Sequence, residues 1–295
     1  MIVSVIVPVF NRVQLVKASI QSLLQQRGDF AIDVIVVDDG STDGTGELLS
    51  MISDEDMRVR VFSQVHSGIA AARNTGLANI HPDAKFVSFL DSDDLCIPGR
   101  FKRDLAILAK RPDLAATYGR ALVSELGASP REAEVVTIHV GCSLIRKEAL
   151  VRIGPFDTRF HQGEDTDFLF RLFESGLRVM QTQTCCLNYR RHPGNITRQS
   201  DASRRFFKEA INESLKRRAT DASIRLHVPK FDLSEIRTSG LYSSLDSIAV
   251  EKAISELADG RVEQEREDGQ NDQCREHQIG FGAPIGQQHK IAKAF

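Results

Sequence analysis

Tryptophan is absent from this 295-residue chain, tyrosine occurs three times, and no apolar run reaches the eighteen or so residues that a membrane-crossing helix needs. Helical membrane spans are therefore excluded. Cysteine is scarce and odd in number: Cys96, Cys142, Cys185, Cys186 and Cys274, none in a C-x-x-C pair. That count argues against a disulfide framework or a zinc ribbon and predicts reduced thiols. No glycine precedes Gly28, so the turn after the first apolar run cannot be the Gly-x-Gly-x-x-Gly of a dinucleotide fold. Charge of one sign is also missing. Lys and Arg total 38 against 40 for Asp and Glu, a net of −2, which leaves no electrostatic footprint for a nucleic-acid partner. Nothing basic leads the N-terminal apolar run, and Pro8 interrupts it. The sequence thus predicts no signal peptide and a cytoplasmic protein.

What is present begins with alternation. Val3 to Val9, Val34 to Val37, Val59 to Phe62 and Phe86 to Leu90 read as strands. Helical patterns over Gln14 to Leu24, Gly44 to Ile52 and Ile69 to Ile80 separate them, with Ser67 as the expected N-cap of the third. This predicts an α/β fold built on a mostly parallel sheet flanked by helices. Beyond Asp94 the pattern predicts helices over Arg100 to Lys110 and Asp165 to Glu174. Short strands are expected near Ala116 to Tyr118, Glu134 to His139 and Val179 to Gln181. Residues 203–258 read as a helical extension. The polar, glycine-rich stretch from Asp259 onward reads as a disordered tail. The expected division is 1–95 and 96–200 as two halves of one domain, then 201–258, then 259–295.

Two of the strands run into aspartates, as Asp38-Asp39-Gly40-Ser41-Thr42-Asp43 and Asp91-Ser92-Asp93-Asp94. Open α/β sheets bind ligands beyond the carboxyl ends of their strands. Carboxylates gathered there repel unless a cation or donors lie between them. The first cluster is also an ordinary turn composition, so its bland and functional readings stand side by side. In the second, alternate residues of an extended segment face one way, so Asp91 and Asp93 can address one site. Mg²⁺ or Mn²⁺ takes one or two protein carboxylates and fills its shell with phosphate oxygens and water. A calcium loop fails here: counted from Asp91, the sixth position is Cys96 and the twelfth is Lys102.

Taken in order, Val7-Pro8-Val9-Phe10-Asn11-Arg12, Val36-Val37-Asp38-Asp39-Gly40-Ser41, Ala71-Ala72-Arg73-Asn74-Thr75-Gly76, Phe89-Leu90-Asp91-Ser92-Asp93-Asp94, Gly154-Pro155-Phe156-Asp157 and Gly163-Glu164-Asp165-Thr166-Asp167 form a set. It resembles the inverting family 2 glycosyltransferases of the GT-A fold, over residues 3–200. The resemblance implies a nucleotide-sugar donor, most often a uridine diphosphate sugar, and a divalent cation, Mn²⁺ or Mg²⁺. It implies that Pro8 and Asn11 line the nucleotide cleft, Asp39 binds uracil or ribose, and Arg73 helps hold the nucleotide. Asp91 would face the ribose or metal-bound water, Asp93 would ligate the metal, and Asp165 would act as general base toward a saccharide or lipid-linked acceptor. The segment Tyr189-Arg190-Arg191-His192-Pro193-Gly194-Asn195 resembles a late family segment whose histidine, here His192, can reach the metal or the diphosphate.

One departure stands out: Cys96 replaces the aromatic, often tryptophan, that commonly follows the metal-binding acids. An inactive sugar-nucleotide-binding subunit of the same fold is the alternative, and the intact acids oppose it. Glu164 and Asp165 also suit a helix start, where acids meet the positive end of the dipole. Arg171 is expected as a structural partner of Asp167, four residues away. Phe207, Ile211 and Leu215 form a helical stripe beside Arg204, Arg205, Lys208, Lys216, Arg217 and Arg218. Packing against its own domain is the expected use, and peripheral contact at the inner face of the membrane is the alternative.

Overall fold

The structure, a computed structural model, describes residues 1–126, 131–136, 139–195, 200–221 and 223–224. Four parallel strands open it: β1 (Ile2–Val9), β2 (Ala31–Asp38), β3 (Val59–Ser63) and β4 (Ala84–Phe89), in the spatial order β3-β2-β1-β4. The crossovers run through α1 (Val16–Leu24), α2 (Thr45–Glu55) and α3 (Ile69–Ala78). The chain thus starts in the middle of the sheet and winds outward to either side. The crevice where winding reverses lies between β1 and β4. Val3, Val5, Ile6 and Val7 are fully buried, as a strand covered on both faces requires. Gly76 lets α3 close on β1, because a Cβ there would stand 2.4 Å from Ile6 Cγ2.

The sheet continues through β5 (Leu95–Cys96), α4 (Arg100–Lys110), β6 (Leu114–Glu125), β7 (Arg131–Val136) and β8 (Ser143–Arg146). After them come α5 (Leu150–Ile153), α6 (Glu164–Glu174), β9 (Arg178–Arg191) and α7 (Ser200–Thr220). The order is β3-β2-β1-β4-β8-β6-β9-β5, with β7 paired to β6. β8 runs antiparallel to both β4 and β6 and carries one sheet across the halves expected from sequence. The α/β class and the parallel first half agree with expectation. The second half is mixed, since among the described residues only β6 and β9 pair in parallel there. The four-residue strand β8 is too short to show a period, so the sequence pattern passes over it.

Local outcomes are informative. Helix Arg100–Lys110 has its expected bounds. Ser67 does not cap α3: the N-cap is Gly68, and the Ser67 hydroxyl donates to the Val65 carbonyl at 2.7 Å. The α7 stripe packs on its own domain, with Ile211 buried and Phe207 and Leu215 against the core. Cys96, Cys142 and Cys186 are buried free thiols. No helix among the described residues is long and apolar enough to cross a membrane. The expected helix beyond Thr220 lies almost wholly outside the described residues, and the 259–295 tail entirely so.

Candidate functional site

At the carboxyl edge of the sheet, β1 outruns β4. Pairing with β4 ends at Ile6↔Phe89, whereas pairing with β2 continues to Val9↔Asp38. Pro8 is buried at this step. The Ile6 carbonyl accepts from Leu90 N and the Val9 carbonyl from Asp39 N, so the missing N–H of Pro8 faces the side where the ladder has already stopped. Asn11 then turns at φ 52°, a left-handed conformation that asparagine tolerates. Its N–H donates to Ser41 Oγ at 2.9 Å, and its Oδ1 accepts from Thr42 N at 2.8 Å. Those bonds tie the loops after β1 and β2 together. The buried Asp39 carboxylate is the chain's own anchor: it accepts from Gln64 Nε2 at 2.7 Å, Ser67 N at 2.8 Å and Gly68 N at 2.8 Å, and His66 Nδ1 lies 2.8 Å away. Asp39 thereby holds the turn that leads into α3. Phe10 and His66 stack at 4.0 Å, forming a partly exposed aromatic ledge beside it.

Arg73 is the hub. Its guanidinium is buried, donates to Asp91 Oδ1 at 2.7 Å and to Glu164 Oε1, and lies over the Phe156 ring. The acidic turn after β4, helix α3 and the first turn of α6 thus meet on one cation. The next residue, Asn74, exchanges two 2.8 Å hydrogen bonds with the Phe156 backbone and holds the 154–157 loop in place. Burial works against ionisation at this hub, but Arg73 and then His139 outweigh it at Asp91, whose carboxyl sits well below the usual range. Glu164 goes the other way: burial pushes it up to about 7, with Arg73 opposing and Asp165 adding to the rise. Asp165 is half-buried, and among the described residues only its Oδ1 is engaged, by Thr166, whose N–H lies 2.7 Å away.

Asp93 faces the other side of the turn. Its Oδ2 lies 3.0 Å from His192 Nε2 and 3.6 Å from Arg12 Nε. Asp94 is fully buried: Oδ1 accepts from Arg190 N at 3.0 Å, while Oδ2 has no hydrogen bond of ordinary geometry. Burial raises Asp94 to about 7, with Asp93 and Asp91 adding and His139 opposing. Ligand atoms of Asp91, Asp94 and His139 lie within 4.8 Å of one another. Burial disfavours the His139 imidazolium, the two carboxylates more than offset that, and the Gly141 N–H on its Nδ1 works against a second ring proton. The donor set, carboxylate oxygens with one or two imidazoles and an orphaned buried oxygen, suits Mn²⁺ or Mg²⁺.

The structure therefore brings Arg73, Asp91 and the Glu164-Asp165 pair together, and pairs Asp93 with His192. Pro8 lies within the sheet behind them, and Asn11 and Asp39 organise the neighbouring loops. Sequence reasoning missed His139, Arg12 and the Phe10–His66 ledge. His139 carries no spacing signal, because it reaches the acidic turn only through the β7–β8 connection.

Residues 4–136 match the family model for glycosyl transferase family 2. An uncharacterized glycosyltransferase of Rickettsia felis is 46% identical over 126 residues, 42% of this chain and 20% of that protein, so this chain spans about a fifth of that relative. Among solved structures, Staphylococcus aureus TarS 1–349 in complex with UDP-GlcNAc is similar at TM-score 0.62 and 19% identity, over 88% of this chain and 80% of that one. A mannosyltransferase from Pyrobaculum calidifontis, in complex with GDP-Man and Mn²⁺, gives 0.62 and 18% over 87% and 74%. At such identities these two share the fold, which is of the GT-A type. Over residues 4–136, somewhat under half of its length, the chain is similar to glycosyl transferase family 2.

Proposed function

We propose that this chain moves a sugar from a nucleotide-sugar donor, a uridine diphosphate sugar in the simplest case, to a hydroxyl of a saccharide or lipid-linked acceptor, with inversion at the anomeric carbon. The observation that carries this reading is the Arg73 bridge. It fixes the acidic turn and the first turn of α6 at one guanidinium's span. Asp165, with Oδ2 uncommitted among the described residues, takes the proton of the attacking hydroxyl. Asp93 and His192 hold the cation side, with Asp91 beside them. A divalent cation, when bound there, offsets charge on the departing diphosphate. The loops anchored by Asp39 and Asn11 carry the base and ribose, and the Phe10–His66 ledge offers a stacking face. The sugar-nucleotide complexes of the two fold relatives support the donor class, and the Mn²⁺ of one supports the cation.

The test is release of nucleoside diphosphate from a panel of nucleotide sugars, with and without Mn²⁺. Asp165→Asn lowers turnover by about 10²–10⁴-fold with donor affinity retained, as loss of a positioned base requires. Undiminished turnover in that variant removes Asp165 from the reaction. Donor binding without turnover under every condition favours the inactive-subunit reading.

A further inference from the structure

Two histidines flank the acidic turn, and each is followed two residues later by glycine. The Gly141 N–H donates to His139 Nδ1 at 3.0 Å, and His139 Nε2 lies 3.4 Å from both Asp91 Oδ2 and Asp94 Oδ2. The Gly194 N–H donates to His192 Nδ1 at 3.1 Å, with Nε2 facing Asp93 Oδ2 at 3.0 Å. A backbone N–H aimed at Nδ1 needs a lone pair there, so the ring hydrogen sits on Nε2, facing the carboxylates. A metal at the same Nε2 needs the opposite tautomer.

The two devices differ in how firmly they are built. Gly141 is buried in the tight turn 140–142, and a Cβ on it would meet Leu187 Cδ2 at 2.6 Å and His139 Nδ1 at 2.8 Å. The His139 backbone N–H donates to the Tyr118 hydroxyl at 2.9 Å, and its ring meets Tyr189 edge-on. Both ring nitrogens are thus engaged. Around His192, by contrast, Pro193 and Gly194 are exposed, so that turn can give up its hydrogen bond. Opposite His139, the orphaned Asp94 Oδ2 faces Nε2 from full burial.

We propose that His139 is a positioning residue and not a metal ligand: Gly141 fixes it as an Nε2–H donor, and it gathers Asp91 and Asp94 on one side of the turn so that Asp93 and His192 face the cation. This rests on the cation reading given under Proposed function. Long-range ¹H–¹⁵N spectra of the full chain report each ring's tautomer directly. His139 keeps a protonated Nε2 both without metal and with saturating Mg²⁺. Loss of its Nε2 proton on adding Mg²⁺ makes it a ligand and overturns the proposal. By calorimetry with Mn²⁺, His139→Ala weakens affinity about 10- to 100-fold, while His139→Gln, whose amide N–H replaces Nε2–H, stays within about threefold of the parent. Equal affinities for the alanine and glutamine variants overturn the positioning role. Absence of Mn²⁺ binding by the parent chain sinks the cation reading and this proposal together, whereas a wrong His139 spectrum sinks this proposal alone.

Discussion

Arg73 answers two carboxylates that otherwise repel, and Glu164 has almost no access to water, with 6% of its side chain exposed. Removing one partner of a buried ionic cluster costs more than the cluster's net worth, because it strands the remaining charge. Arg73→Met therefore destabilises the chain by about 3 kcal/mol, read as a lowered urea midpoint. Arg73→Lys recovers little of this, since one ammonium cannot serve both acids with the spread of a planar fork. At this scale much of the site was legible. Aspartates at the ends of β-branched runs advertise themselves, and the Arg73-Asn74-Thr75-Gly76 run packs three separate jobs into four positions: a charge bridge, a backbone clasp on Phe156 and a close approach to Ile6. What was not legible is who answers the acids. The hydrogen bonds that residues 64–68 give Asp39 leave no trace in the motif, and His139 comes from a segment with no motif at all.

Helix α6 carries Glu164 and Asp165 at its start and is held from behind by α7. Arg171 pairs with Asp167 at 2.9 Å, as the four-residue spacing predicts. Arg217 of α7 reaches Asp167 at 2.8 Å and Glu174 at 2.6 Å, spanning two turns of α6. Both acids are buried, and Arg217 keeps 27% of its side chain in water. Arg217→Met accordingly costs about 2 kcal/mol, discounted for that exposure, and chemical denaturation measures it. The sequence showed the basic flank of α7 but not its use, because an arginine facing solvent and one facing a neighbouring helix read alike. Strand β9 shows the same limit. Its fourteen residues run well past the Val179–Gln181 core that alternation marks, since pairing with β6 and β5 decides its length.

Taken as a whole, the molecule stores unfavourable charge at its carboxyl edge, and pH exposes it. Glu164 and Asp94 are raised to about 7 from ordinary values of 4.5 and 3.8. Between those values and about 7, the folded chain holds protons that the unfolded chain has released, so stability falls as pH rises through that window. The metal-free protein thus has a higher urea midpoint at about pH 5.5 than at about pH 7.5, and Mg²⁺ narrows the difference by favouring the ionised carboxylates. Depressed acids such as Asp43 and Asp56 act with the opposite sign, but only below about pH 4, outside this window. The Arg73 bridge has a further consequence. Neither acid nor reductant can unfasten its cationic end, for a guanidinium keeps its charge wherever the chain folds, and no thiol takes part in the joint. The acidic turn after β4 and the first turn of α6 are riveted by a group without an off state.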